Sequence, residues 1–323
     1  MSFVVPLVAG ALSFLLLDWM LSGPRKALPW DHPNERSLHA RPVPRVGGVA
    51  LCAGMLPAIA WAWSPVVAAL AAWLAVVSYF DDRNGLPASV RFAAHLAAAI
   101  TLVVLLGGTQ HWLLLACAAL ATVWMTNLYN FMDGADGLAG SMALVGFGAY
   151  AAAAVLAEKN DLAVASAAIA CSAAAFLRFN WHPARTFMGD CGSIPLGFLA
   201  AAQGLAGWRE DTWPWWFPCL VFSPFTVDAT VTLLRRIFAG EPFWKAHRSH
   251  YYQRLVQLGW GHRKTVLAEL ALMAGCAATG LLALHAPPFI QAVGLACMGG
   301  LYLLLGLMVD RLWKRYVTVR HTL

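Results

Sequence analysis

Charge is scarce in this 323-residue sequence: 12% of residues are Asp, Glu, Lys or Arg, 60% are hydrophobic, and the mean hydropathy is +0.64. Soluble domains carry about 25% charged residues. A water-soluble globule is therefore excluded, because so much apolar surface needs lipid around it. Polar stripes are missing too: the long apolar runs recur without a hydrophilic face, which removes the alternative of a greasy soluble bundle. The seven cysteines, at 52, 117, 171, 191, 219, 276 and 297, form no Cys-x-x-Cys pair and no zinc spacing. Neither a disulfide framework nor a structural metal is expected, and the cysteines read as small apolar residues. No basic segment precedes the first apolar run, Ser2 to Leu21; one follows it, so the run reads as an uncleaved spanning helix and not a secretion signal. No repeat, low-complexity tract or linker divides the chain, and one integral membrane domain over 1–323 is expected.

What the sequence has in quantity is tryptophan, 15 residues, which suits membrane–water interfaces where an indole N–H stays wet. Reading about 20 apolar residues as one crossing gives an all-α polytopic transmembrane bundle of about eleven spans. They lie near 2–22, 46–63, 65–80, 89–107, 111–127, 137–157, 161–179, 190–207, 212–234, 265–285 and 288–309. Of the 22 lysines and arginines, all but Lys159 and Arg209 fall in the regions that follow odd-numbered spans. The positive-inside rule then places the N-terminus outside and the C-terminus in the cytoplasm, with cytoplasmic loops at 23–45 and 235–264. The net charge of +6 belongs to that membrane face, and no nucleic-acid partner is expected.

Acidic and amide residues collect at the same ends of the spans as the basic ones. Asp81 and Asp82 follow the third span. The plain reading is a solvated acidic loop. Two adjacent carboxylates repel, however, so one titrates high or both are neutralised by a cation. Arg91, opening the next helix, is placed to hold a phosphate. Next, Asn127, Asn130, Asp133 and Asp136 recur at every third position. On a helix Asn127 and Asn130 share a face; Asp133-Gly134 and Asp136-Gly137 then end the helix and let backbone approach a ligand. Simple capping would not require two Asn and two Asp in register. Asp190, between Gly189 and Gly192, sits where a helix N-cap belongs. A helix N-terminus is also an anion site, and an Asp there can hold Mg²⁺ that bridges phosphate oxygens. Finally, His247-Arg248-Ser249-His250-Tyr251-Tyr252-Gln253-Arg254 lies in the most basic loop. Anionic headgroups explain the charge of that loop, but two His beside two Arg look like a diphosphate clamp.

Together these motifs resemble the polyprenyl-phosphate N-acetylhexosamine-1-phosphate transferase family, from Asn34-Glu35-Arg36-Ser37-Leu38-His39 through Arg254, and most closely its O-antigen-initiating branch. The resemblance implies transfer of a sugar-1-phosphate from a UDP-sugar to undecaprenyl phosphate with release of UMP, in a bacterial inner membrane, at the cytoplasmic face. It implies Mg²⁺, with Mn²⁺ as a substitute, on Asp190 helped by Asn130. Asp136 would sit by the uracil, Asp81 and Asp82 beside the lipid phosphate or its metal-bound partner, and Arg91 on the diphosphate. His247, His250 and Arg254 would line the sugar-diphosphate pocket. Asn127, Asp133, Arg248, Asn34 and Arg36 complete the substrate-binding set, and a homodimer is an option. Two positions depart from the pattern: Ser249 stands where many relatives have His, and Arg91 where some have Lys. The runner-up within the family is phospho-muramyl-peptide transfer. From another class, a transporter would need charge inside the membrane, for which Asp228 in the ninth span is the one good candidate.

Overall fold

The computed structural model describes residues 4–23, 28–33, 37–38, 41–106, 111–242 and 247–321. It is built of helices: α1 (Val4–Ser22), α2 (Gly47–Ala62), α3 (Pro65–Asn84), α4 (Ala88–Leu106), α5 (Trp112–Phe131), α6 (Leu138–Leu156), α7 (Asn160–Asn180), α8 (Asp190–Arg209), α9 (Trp216–Val221), α10 (Ser223–Phe238), α11 (Tyr251–Leu255), α12 (Gly261–Ala283) and α13 (Pro288–His321). Between α1 and α2, β1 (Trp30–Asp31) pairs antiparallel with β2 (Val43–Pro44). Asn34, Arg36 and His39 lie outside the described residues. The chain is thus an all-α polytopic membrane protein.

Among the described residues, eight helices are long and apolar enough to cross a bilayer, counting Tyr251–Ala283 as one. The other three expected spans are present with physical reasons for falling short. With 16 residues, α2 is only about 24 Å long. Fifteen of the 20 residues of α8 are buried; surrounded by protein, it can carry Gly, Ser and Gln in place of lipid-facing residues. Its Gln203 Oε1 accepts the Ser166 hydroxyl of α7 at 2.8 Å, a buried polar contact between helices. The expected ninth span is two helices, because Phe222 and Pro224 break α9 from α10.

Several ends differ from expectation, each in a way that moves the site. Ser64 caps α3, its Oγ accepting from Val67 N at 3.2 Å with Pro65 at the first helical position, and the helix runs on to Asn84. Asp81 and Asp82 therefore stand on the last helical turn and not in a loop. The expected loop over 235–264 is shortened: α10 extends to Phe238 and helix resumes at Tyr251, running through a π-turn at Val256–Trp260 into α12. The last helix continues to His321, past its apolar stretch. The mostly buried α6 and α7 form the centre, while α13 leaves Leu303, Leu304 and Leu307 exposed on the outside.

Candidate active site

Asp81 and Asp82 point to different partners. Arg91 Nη1 contacts Asp81 Oδ2 at 2.9 Å, and Leu86 N donates to Asp81 Oδ1 at 2.7 Å. Arg45, from the strand end before α2, reaches Asp82 Oδ1 at 3.2 Å and Asp31 Oδ1 at 2.9 Å. Asp82 also accepts the backbone N–H groups of Asp190 and Cys191. The cap of α8 is therefore Gly189, with φ 69°, and the carboxylate at the head of the helix comes from α3; Asp190 is the first helical residue instead of the cap. A side chain at 189 would place its Cβ 2.9 Å from Asp82 Oδ2, so glycine is required there.

Asn130 and Asp190 hydrogen-bond through their side chains. Asp133 lies in the same electrostatic neighbourhood, and its burial, with the nearby Asp190 carboxylate, pushes it well above the usual carboxylate range. Asn127 is turned away: its Nδ2 donates to Val123 O at 2.7 Å, and it hydrogen-bonds with His95 of α4. Asp136 is also apart, in a network with two histidines. His182 Nδ1 is 2.6 Å from Asp136 Oδ2, Ala184 N donates to that same oxygen at 3.1 Å, and Asp136 N donates to His262 Nδ1 at 3.1 Å. His262 Nε2 meets Leu38 O at 3.0 Å. Asp136, His182 and His262 bring one ligand atom each within 4.8 Å of the others. Because His262 Nδ1 already accepts an N–H, the trio reads as a hydrogen-bonded seat and not as an open metal site.

The residues suited to Mg²⁺ lie at the head of α8. Four carboxylates, Asp81, Asp82, Asp133 and Asp190, gather there with Arg45 and Arg91. Arg45 is shared with Asp31, so negative charge is in excess among the described residues. Carboxylate and amide oxygens are the hard donors that Mg²⁺ and Mn²⁺ prefer, so this set fits the ion expected from sequence.

The histidine loop is anchored from inside the bundle. Asp228 of α10 accepts Tyr251 N at 2.8 Å and Tyr252 N at 3.0 Å, one on each oxygen, and lies 3.4 Å from His250 Nδ1. That is the acceptor at the start of α11, so the charge that suggested a transporter instead holds the loop. Tyr252 passes its hydroxyl to Phe131 O at 3.1 Å, beside Asn130. His250 stacks against Phe131, the residue after Asn130, at 6.5 Å, and His247 lies 4.9 Å from His250. Arg254 packs over Tyr251 and Trp313 and pairs with Asp310 at 3.0 Å, facing α13. Arg248 is exposed.

Burial, His250 and Arg236 hold His247 down at about 4. Its unfolded value is near 6.5. Between those values the unfolded chain takes up a proton that the folded chain refuses, so stability falls as pH drops through that window. His247→Gln is expected to lose less thermal stability than the wild type between pH 7 and pH 5. Parallel melting curves in detergent would show the ring to be freely solvated.

Sequence reasoning missed Arg45, Asn180, His182, Tyr252 and His262. Asn180 accepts Gly137 N at 2.8 Å and donates to Thr186 O at 2.9 Å, joining the segment after α5 to the one before α8. A signal was present: each lies within a few residues of a helix end on the charged side of the membrane.

The model of the family described as glycosyl transferase family 4 matches residues 64–207, the stretch that carries Asp81, Asp82, the Asn/Asp series and Asp190. The decaprenyl-phosphate N-acetylglucosaminephosphotransferase of Mycobacterium leprae is 32% identical over 73% of this chain and 72% of its own length. The same enzyme of Mycolicibacterium smegmatis is 30% identical over 82% of this chain and 77% of its own. A phospho-N-acetylmuramoyl-pentapeptide-transferase of Bacillus pumilus is 32% identical, but over 44% of this chain and 43% of its own. The family match, together with similarity along most of the chain to decaprenyl-phosphate N-acetylglucosaminephosphotransferases, makes this chain a member of glycosyl transferase family 4.

Proposed function

We propose that the protein transfers an N-acetylhexosamine-1-phosphate from a UDP-sugar to undecaprenyl phosphate, releasing UMP, at the cytoplasmic face of a bacterial inner membrane. The observation that carries this reading is the gathering of Asp81, Asp82, Asn130, Asp133 and Asp190 at the head of one helix, with Arg45 and Arg91 among them. Initiation of a lipid-linked glycan such as O-antigen is the branch that the His247–Arg254 loop favours. Transfer of a phospho-muramyl peptide is the weaker alternative, because that relative matches less than half of the chain.

Two anions must meet for this reaction, so the residues have to neutralise and align them. Asp190 with Asn130 would hold Mg²⁺, which supplies positive charge to the diphosphate oxygens. Arg91 stands at the mouth of the cluster, exposed and paired with Asp81, and can turn toward a phosphate. Asp82 fixes the head of α8 and Arg45 together, a positioning role. Asp133, held above the carboxylate range, suits a group that accepts substrate contacts without adding a full negative charge. Asp136 with His182 and His262 offers a seat for the uracil. The lipid phosphate is already largely ionised near neutral pH and needs no strong base, so charge positioning is the simpler role for Asp81.

The bond broken distinguishes this reaction from ordinary glycosyl transfer. With UDP-sugar labelled at the β-phosphorus, the label is expected to enter the lipid fraction together with the sugar, and added UMP is expected to reverse the reaction. β-Label in free UDP, with unlabelled phosphorus on the lipid product, would overturn the assignment.

A further inference from the structure

We propose that a cleft between α10, α11 and α13 binds the phosphate of an anionic phospholipid, apart from the carboxylate cluster. The cleft has a volume of about 470 Å³ and is lined by Arg235, Arg254, Asp310, Arg311, Trp313 and Lys314. Among the described residues, four cations thus face one carboxylate. Asp310 is divided between Arg235 at 2.7 Å and Arg254 at 3.0 Å. Arg311 and Lys314 are exposed, with no carboxylate within ion-pair distance among the described residues. Guanidinium forks suit phosphate oxygens, and the cleft has two that Asp310 only half neutralises.

Depth in the membrane selects the ligand. From Pro288 to Val309, α13 carries no charge, a length of about 33 Å that matches the hydrocarbon thickness. Asp310 is its first charged residue, so the cleft opens at the level of the headgroups. Leu303, Leu304 and Leu307 are exposed directly below, a face along which acyl chains can lie, and Trp313 takes the interfacial position favoured by indole. A lipid phosphate is the chemistry that this arrangement recognises. A phospholipid is the better occupant than the polyprenyl acceptor, because none of the lining residues belongs to the cluster around Asp190. Arg254 Nε also donates to Ser249 O at 2.8 Å, so a bound headgroup would steady the loop that bears His247 and His250.

The test uses the full chain in nanodiscs of phosphatidylcholine containing phosphatidylglycerol, with the retained lipid read by native mass spectrometry. Wild type is expected to hold phosphatidylglycerol over phosphatidylcholine, and Arg311→Gln/Lys314→Gln to lose that preference by on the order of 10-fold with an unchanged melting temperature. Equal retention by both proteins overturns the site. Displacement of phosphatidylglycerol by polyprenyl phosphate, with a matching rise in acceptor KM for the double variant, overturns the phospholipid as occupant and gives the cleft to the acceptor. The binding readout needs no turnover, so it stands or falls independently of the reaction proposed above.

Discussion

Asp190→Asn is expected to lower turnover by on the order of 100-fold or more at saturating Mg²⁺, about 2.7 kcal/mol of barrier, while the protein remains folded. The amide keeps the size of the side chain and can still accept from Asn130 through its oxygen. What it loses is the charge that would hold a divalent cation against substrate phosphates. Two effects on stability oppose each other. An acidic residue in the first turn of a helix contributes about 0.3–1 kcal/mol through the helix dipole. Removing it also relieves repulsion with Asp81, Asp82 and Asp133, so the melting temperature should hold or rise. Asp161→Asn, in the first turn of α7, is the matched control and should retain full activity. Near-normal turnover in Asp190→Asn would remove Asp190 from the reaction and leave the carboxylate cluster without a catalytic purpose.

Much of this was legible because lipid simplifies the code. In a bilayer nearly every apolar run of the right length becomes a helix, and polar residues mark the ends. The eleven runs are all helical, and Asn130, Asp190 and the two aspartates of α3 meet as the charge pattern implied. The failures have a common cause. Arg45 lies between β2 and α2 with no hydropathy signal, yet it bridges Asp31 and Asp82. Asp228 resembles an intramembrane ionisable group in one dimension; only the fold shows it accepting the N–H groups of Tyr251 and Tyr252, 23 and 24 residues away. Arg254 has the same basic character as its loop, but its helix turns it toward Trp313. Asn127 shares the spacing of Asn130 and is spent on His95. Periodicity places a residue on a face; it does not reveal which neighbour that face meets.

The head of α8 is fixed in turn by a backbone contact, which Gly48→Ala is expected to break. Gly47 N and Gly48 N donate to Phe187 O and Met188 O at 2.9 Å each, so the first turn of α2 is completed by the segment that leads into Asp190. A Cβ at Gly48 would stand 2.6 Å from Met188 O and 2.7 Å from Gly192 Cα, with Gly192 N closer still. All three are backbone atoms, so no side-chain rotation relieves the clash. Elsewhere in a helix, glycine to alanine stabilises by roughly 0.5–1 kcal/mol. Here overpacking costs about 1–3 kcal/mol, and stretching two hydrogen bonds adds about 0.5–1.5 kcal/mol each. The loss wins, and Gly48→Ala should be destabilised by about 3 kcal/mol, with activity falling as Asp190 shifts relative to Asp82 and Asn130. Gly148→Ala, inside α6 with no atom within 4 Å of its added Cβ, should melt at or above the wild-type temperature. Both proteins are to be compared by thermal unfolding in one detergent and by turnover at saturating substrate. A Gly48→Ala protein that melts and turns over like wild type would mean that α2 and α8 stand further apart than this packing requires, and that the head of α8 is not held by α2.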